Sequence, residues 1–527
     1  MYSIISNTIR VFDYTKGLYD WVYNNLKVRN PEHLQMTKRG NINAIKRNDI
    51  PYFSNVYVCR DNYIEMPFGV LNAIWEPFLK WYPYQIKFNS TEDISIKDVP
   101  CPWKLYSYQE VAVSKMVRKK GGILVSKCGS GKSLMGIEII HRIGKKFLWL
   151  THTKSLLEQT YNAMKNMYPY LAVGKVMEGK YEFGEDGTVA TVQSLSRLNP
   201  SLYKDKFEVI VCDECAHVVG SEDTTRAFST ILNNIPARYK YGLTATPKRS
   251  DSLINTMYAY LGMTKNGFAP TYKVSSKDLK TIPATHIKFE VTPDLSKEKK
   301  YKIIKSGKIN YTGLINFLSN DESRNDAIVN NVKQLNAQGR TQILLCHRVN
   351  HCFYLFKKLE ELGLPVALIT GKTFENQRNN VINRKTDWNV LVATYSLLKE
   401  GISINELDTL HLVTPQVDPS TTIQCAGRIE RFVENKLEPL IFDYVDSNIS
   451  YCRAAFERRR KAIAENRYEE LLGQIVISRT NTFNNSIGET IIFDKKWNYI
   501  CDFPVYVGEK IMIVEILSSD LLKVNKI

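Results

Sequence analysis

The sequence predicts an α/β protein built on two tandem parallel-sheet lobes, with a small α+β domain before them and a small β-barrel after them. Three observations carry this prediction. Short apolar runs recur with helical patterns between them, among them Gly121-Gly122-Ile123-Leu124-Val125, Phe147–Leu150, Val209-Ile210-Val211-Cys212 and Val390–Ala393, which is the pattern of parallel strands buried on both faces. Most of these runs end in polar residues, where the ligand crevice of such a sheet lies. The chain has 527 residues, too many for one hydrophobic core.

Residues 1–100 carry no catalytic pattern. They are rich in Tyr, Trp, Asn and Lys, and the segments Val28–Glu32 and Glu65–Gly69 read as turns between short strands. Aromatic residues interleaved with Lys38, Arg39, Lys46, Arg47 and Arg60 suit a nucleic-acid face. An ordinary aromatic core with a solvated basic rim fits the same residues.

From Cys101 the pattern changes. Leu105–Ala112 reads as a short helix before a glycine loop, and the amide of Gln109 could read both a donor and an acceptor edge of adenine. The loop is Ser126-Lys127-Cys128-Gly129-Ser130-Gly131-Lys132-Ser133, preceded by a strand and followed by a helix over Leu134–Arg142 that Gly144 stops. Glycines leave room for backbone N–H groups to surround phosphate oxygens, and the helix N-terminus adds positive charge. Lys132 supplies a full charge to the terminal phosphates, and Ser133 supplies a hydroxyl for Mg²⁺. Ser126 stands where the strict phosphate-loop pattern has Gly. Well downstream, Val209–Cys212 delivers Asp213-Glu214 at a strand end, with His217 one turn on. Asp213 can hold Mg²⁺, and Glu214 can take a proton from an attacking water.

Two further strands end in Thr151-His152-Thr153-Lys154 and Thr191-Val192-Gln193-Ser194, and Tyr241–Thr244 ends in a hydroxyl pair with Thr246. The stretch from Lys265 to about Gly307 reads as a connection with a basic insertion, Lys297–Lys302. The second lobe places strands at Gln342–Leu345, Val366–Ile369, Val390–Thr394 and Thr409–Val413. Gln424-Cys425-Ala426-Gly427-Arg428-Ile429-Glu430-Arg431 sets Gln424, Arg428 and Arg431 at helical spacing, so both arginines could face one anion. The basic run Arg458–Lys461 reads either as a lobe-closing helix or as a nucleic-acid contact, and Lys510–Ile516 and Leu521–Val524 as strands of the terminal barrel.

The formal net charge is +17 and the pI near 9.2. An anionic polymer explains that excess, and so does the Lys-rich coding of an AT-rich genome. Ten scattered cysteines read as reduced thiols rather than a disulfide framework. Cys346-His347 and His351-Cys352 have metal-like spacing but follow a strand and open a helix, so they read as structural. No signal peptide and no membrane span is expected, hence no membrane partner, and the expected compartment is the cytoplasm of a bacterial or phage-infected cell.

Taken in order, these motifs resemble those of the superfamily 2 helicases. Ser126–Ser133 resembles motif I, Asp213–His217 a DExH motif II, Thr244-Ala245-Thr246 motif III, Thr394–Gly401 motif V and Gln424–Arg431 motif VI. Leu105–Ala112 is similar to the adenine-reading segment, and Thr153–Gln159 and Thr191–Leu195 to motifs Ia and Ic. Within the superfamily, Gly242–Arg249 and Gly401-Ile402-Ser403-Ile404 are similar to the XPB/UvsW-like group of phage and poxvirus DNA helicases, as are Asn30-Pro31-Glu32 and Pro67-Phe68-Gly69 at the N-terminus. Tyr106 stands where relatives carry Arg, and Ser403 where many carry Asp. The terminal barrel resembles the OB-like domain of NfeD proteins over the short segments Gly508–Ile516 and Leu521–Val524.

The resemblance implies two RecA-like lobes with ATP and Mg²⁺ between them. Gln109, the loop 126–133 and Gly401 would bind nucleotide. Lys132, Asp213, Glu214, His217, Gln424, Arg428 and Arg431 would serve hydrolysis, with Ser133 and Asp213 on the metal. Thr153, Lys154, Thr191, Gln193, Ser194, Thr370, Gly371, Lys372 and Thr394 would grip a nucleic-acid backbone. The expected domains are 1–100 (accessory, with a candidate DNA-binding face), 101–268 (lobe 1), 269–310 (basic connection), 311–470 (lobe 2) and 471–527 (OB-like barrel). The expected function is an ATP-dependent helicase or translocase on duplex, single-stranded or branched DNA in recombination, repair or replication, with protein partners at the terminal domains. An RNA helicase and the motor subunit of a restriction or defence complex are the alternatives.

Overall fold

The computed structural model describes residues 1–38, 53–127, 129–218, 222–245, 254–275, 282–296, 303–305, 308–396, 404–468, 475–482, 487–492, 495–501, 503–516 and 521–526. The chain divides into two compact units, Met1–Leu279 and Lys280–Ile527.

In the first unit, eight strands among the described residues form one sheet. Their order is Lys180–Tyr181, Val173–Met177, Gly187–Thr191, Phe147–Thr151, Val209–Cys212, Tyr239–Thr244, Gly121–Val125 and Tyr272–Lys273. All neighbours are parallel except the first pair. The central strands are buried along their length, as expected for a sheet covered by helices on both faces. Gly136 faces Trp149 and Leu243 so closely that a Cβ there would lie 2.6 Å from the indole ring. The helix Lys132–Ile143 therefore seats directly on the sheet.

The N-terminal segment forms its own sheet of five strands among the described residues, in the order Val58–Cys59, Tyr63–Pro67, Thr8–Phe12, Tyr2–Ile5, Tyr84–Ile86. Its apolar residues, Ile9, Val11, Leu18, Val22, Ile64 and Met66, share one continuous core with Ile123, Leu148 and Ile210 of the large sheet. Lys240, on strand Tyr239–Thr244, is fully buried at this junction, where it donates to Asn7 O and Leu232 O and lies over the Phe68 ring. Burial pushes its amine down to about 7. Pro31 does not mark a turn, as the sequence suggests. It opens the helix Pro31–Lys38, with Asn30 Oδ1 accepting from Glu32 N at 3.0 Å, a side-chain cap followed by Pro at the first helical position. Glu65–Pro67 likewise belongs to a strand and Phe68–Val70 to a 3₁₀ turn.

The second unit holds a six-stranded, all-parallel sheet among its described residues, in the order Thr285–Val291, Leu440–Asp446, Thr409–Leu412, Gln342–Cys346, Val390–Thr394, Val366–Ile369. Two of the strands named above, Tyr272–Lys273 and Thr285–Val291, lie inside the stretch that the sequence reads as a connection. The second of these is exposed or half-buried at every residue but Val291, as befits an edge strand. The run 297–302 lies outside the described residues.

Past the helix Ser450–Tyr468, five strands among the described residues form a curled sheet in the order Ile475–Ile477, Lys510–Ile516, Leu521–Lys526, Lys495–Ile500, Ile487–Ile492. A bridge between Ser478 and Thr490 joins its two edges. Tyr499, Val505, Ile511, Ile513 and Val524 fill its interior. In the basic helix Arg459 is buried and makes a two-pronged pair with Asp443 at 2.7 Å while donating to Gln416 O, so this residue closes the lobe, whereas Arg458, Arg460 and Lys461 are exposed.

Candidate active site

The phosphate-type loop leaves strand Gly121–Val125 and enters the helix Lys132–Ile143. Its backbone is tied at both ends. Ser126 N donates to Thr244 O of the neighbouring strand, Ser130 N to Lys127 O, and the Ser126 and Ser130 hydroxyls meet at 2.6 Å. Gly129 and Gly131 hold left-handed φ of 82° and 77°, which a side chain would strain. Cys128 and Gly401 lie outside the described residues.

Gln109 lies against this loop, 3% exposed. Its amide nitrogen donates to Ser130 O at 3.0 Å, and its oxygen accepts from Tyr106 N at 3.0 Å. The Tyr108 hydroxyl donates to the same Ser130 carbonyl. A Cβ on Gly131 would fall 2.6 Å from the Gln109 amide nitrogen. Gly131→Ala is therefore expected to push Gln109 off the loop and to weaken nucleotide binding by about tenfold or more, since roughly 1–2 kcal/mol of left-handed strain adds to the clash. Titration with a fluorescent ATP analogue checks this.

The carboxylates stand on the same sheet edge. Strand Val209–Cys212 lies one strand removed from Gly121–Val125, so Asp213 emerges beside the loop. Its Oδ2 accepts from Ser133 Oγ at 3.3 Å and its Oδ1 from Glu214 N at 2.9 Å. Glu214 has a left-handed φ of 45°, a strained conformation for a residue with a side chain, and its carboxylate lies 3.4 Å from the Lys132 amine. Burial first, and then the neighbouring Glu214, raise the Asp213 carboxyl above its ordinary value, while Lys132 pulls it back. Two carboxylates around one amine, with the hydroxyl of Ser133 alongside, make a hard-oxygen donor set that fits a divalent cation. His217 lies on the short helix Cys215–Val218, and its side chain is outside the described residues.

At the same edge, Thr153 and Thr191 cap two helices. Thr153 Oγ1 accepts from Leu156 N and Thr191 Oγ1 from Ser194 N. Their strands are parallel neighbours, with Thr191 opposite Thr151. Lys154, Gln193 and Ser194 therefore open two adjacent helices whose positive ends face one way.

In the second unit, Thr370 follows the strand Val366–Ile369 and Thr394 ends its parallel neighbour Val390–Thr394, with Ile369 opposite Ala393. Thr370 turns back through Lys372 N and Thr373 Oγ1, leaving Gly371 and Lys372 exposed. Thr394 meets the Ser396 hydroxyl at 3.0 Å. Arg348, two residues past the adjoining strand Gln342–Cys346, donates to Asn316 Oδ1. It stands at the same edge and joins this candidate group. The sequence signal for it is its position just past a strand end. His347 meets the Thr414 and Tyr311 hydroxyls, and His351 Nε2 donates to Asn325 Oδ1.

Gln424 and Arg428 lie on the helix Pro419–Ile429. Arg431 does not continue it. The helix stops at Ile429 because Glu430 is drawn into the start of the unit, its carbonyl accepting from Ile282 N and its carboxylate from Ala284 N. Arg431 instead donates to Asn405 Oδ1 at 2.9 Å. The shared helical face expected for the two arginines is thus replaced by a helix end and the turn after it.

Residues 102–249 match the family described as type III restriction enzyme, res subunit, and residues 323–433 match the helicase conserved C-terminal domain. A protein of Acanthamoeba polyphaga mimivirus, L396, named as an ATP-dependent RNA helicase, is 24% identical over 399 residues, covering 74% of this chain and 72% of its own. The XPB subunit of the general transcription and DNA repair factor IIH of Encephalitozoon cuniculi, named as a helicase/translocase, is 30% identical over 175 residues, 30% of this chain and 25% of its own. Among solved structures, S. cerevisiae Dbp5 bound to RNA and ADP BeF3 shares the fold with a TM-score of 0.51 at 14% identity, covering 68% of this chain and 88% of its own. Two RecA-like helicase domains in tandem, a phosphate loop and paired carboxylates at one sheet edge, and these matches lead to one conclusion: the chain belongs to the superfamily 2 helicases, which hydrolyse ATP.

Proposed function

We propose that the protein is an ATP-driven DNA helicase or translocase. The observation that carries the ATP half is the cluster of Lys132, Ser133, Asp213 and Glu214 around one glycine loop. In this reading Lys132 binds the terminal phosphates, Ser133 and Asp213 hold Mg²⁺, and Glu214 takes the proton of the attacking water. A bound Mg²⁺ would neutralise developing charge on the phosphates. Arg428 and Arg431, with Gln424, would meet the nucleotide from the second lobe, and Gln109 would hold the base side of the loop. Thr153, Lys154, Thr191, Gln193, Ser194, Thr370, Lys372 and Thr394 would contact backbone phosphates, so grip would be largely independent of sequence and sensitive to salt.

DNA rather than RNA is supported by the XPB relative and the restriction-enzyme match, and the net charge of +17 suits either polymer. The terminal curled sheet, joined edge to edge by Ser478 and Thr490, would act as an OB-like module, and it and the segment 1–100 would be the sites for protein partners. A second reading, an RNA helicase, is favoured by the name of L396.

ATP hydrolysis at low salt with no polymer, single-stranded DNA, duplex, a four-way junction or RNA tests the choice. Stimulation of about tenfold or more by duplex or branched DNA is expected, falling steeply as salt rises from 50 to 200 mM. Stimulation by RNA alone would overturn the DNA reading and leave the ATP site standing.

A further inference from the structure

The turn that carries Arg431 is held from beneath by one amine. Asn435 has a left-handed φ of 61°, which turns the chain back and brings Lys436 under the end of the helix Pro419–Ile429. Lys436 Nζ donates to Ile429 O at 2.6 Å, Arg431 O at 2.9 Å and Asn405 O at 3.4 Å. Asn405 also accepts from the Arg431 guanidinium through Oδ1. Arg431 is thus fixed at its backbone by Lys436 and at its side chain by Asn405, and Lys436 binds those two fixing points to each other. Three carbonyl oxygens call for three N–H donors. An ammonium has three and no lone pair, whereas a neutral amine has two donors and a lone pair facing a carbonyl. The negative end of the helix also favours the cation.

We infer that Lys436 is a positioning residue for Arg431, and that through Asn405 it ties the arginine to the segment that follows Thr394–Gly401. This rests on the reading of Arg431 as a nucleotide contact. The amine is half-buried, and burial pushes it down to about 8; Asp408, Glu406 and Glu430 push it up, and Arg431 pushes it down further. Below that value the cage is complete. Above it one carbonyl loses its donor, so activity is lost as pH rises through about 8.

The test measures kcat and KM for ATP at saturating duplex, with melting curves, for the full chain and for Lys436→Met, Lys436→Arg, Asn405→Ala and Arg431→Ala. Arg431→Ala is expected to lower kcat by about a thousandfold. Lys436→Met is expected to lower it by about tenfold with KM within about twofold of the parent, as for a displaced but intact contact. Lys436→Arg keeps the charge and recovers most of the activity, and its rate stays level above pH 8 where that of the parent falls. Asn405→Ala, which removes only the side-chain acceptor, lowers kcat with an unchanged melting curve. If Arg431→Ala is inactive while Lys436→Met keeps the parent kcat, this inference is overturned and the ATP-site reading survives. An active Arg431→Ala overturns that reading itself. Should Lys436→Met fail to fold, parent-like kcat in Asn405→Ala together with a parent pH profile that is flat through 8 overturns the inference.

Discussion

Glu214→Gln is expected to reduce ATP turnover by about a thousandfold while leaving ATP bound at least as tightly as in the parent, the scale of losing a general base. The substitution keeps the shape of the side chain and removes only its charge and basicity. In the parent, the Glu214 carboxylate lies 3.4 Å from the Lys132 amine and adds to the burial that raises the neighbouring Asp213. Taking the charge away frees Lys132 for phosphate and makes Asp213 a more willing carboxylate. Binding therefore improves as chemistry fails. Lys132→Ala has the opposite signature: the positive charge goes, the buried Asp213 and half-buried Glu214 carboxylates are left without it, and KM rises along with the loss in kcat. Steady-state rates and equilibrium binding of ATP on the two variants separate these outcomes. Equal loss of binding in both would show that Glu214 only supports the loop, and the left-handed backbone at that residue would then be strain without a catalytic purpose.

How much of this was legible in the sequence follows from how local each interaction is. The phosphate loop, the strand-end carboxylates and the helix closed at Gly144 are written in consecutive residues, because a parallel strand buried on both faces must be apolar throughout and its end must turn. The helix Pro31–Lys38 is also written locally, in Asn30 and Pro31, where the X-Pro pair that suggests a turn marks a helix start. Other features have no local signature. The i, i+4, i+7 spacing of Gln424, Arg428 and Arg431 is sound helical arithmetic, yet Glu430 finds partners at Ile282 and Ala284, far away in the chain, and the helix ends before the third residue. Lys240 and Arg459 look like surface charges in the sequence and are buried in the fold, one at the N-terminal junction and the other across Asp443. Long-range pairing decides these cases, and spacing does not encode it.

The largest stability effect is expected at another such residue. Arg324 is fully buried, donating to Asp446 at 2.7 Å through Nε and to Val413 O at 2.6 Å. It thereby joins the helix Glu322–Ala337 to the strand Leu440–Asp446. Burial raises the Asp446 carboxyl above its ordinary value, and the guanidinium restrains that rise. Arg324→Met leaves the carboxylate buried without its counter-ion, at a cost of about 3–5 kcal/mol. The sign of the pH dependence follows. In the variant the folded pKa of Asp446 climbs further above its unfolded value of about 3.9, so the folded state binds the proton more readily and stability falls as pH rises through that interval. The deficit against the parent is therefore smaller near pH 5 than at pH 8. Pairing Arg324→Met with Asp446→Leu removes both charges together, and the double variant is expected to recover most of the loss, because replacing a buried pair by apolar side chains costs little whereas orphaning one partner costs much. Urea unfolding of the full chain at both pH values, with hydrogen exchange read on the strand Leu440–Asp446, measures all three terms. A single variant that loses less than about 1 kcal/mol and shows no pH dependence would mean that water reaches Asp446, and the pair would then be a fastening of little weight at the end of a strand next to the edge of the second sheet.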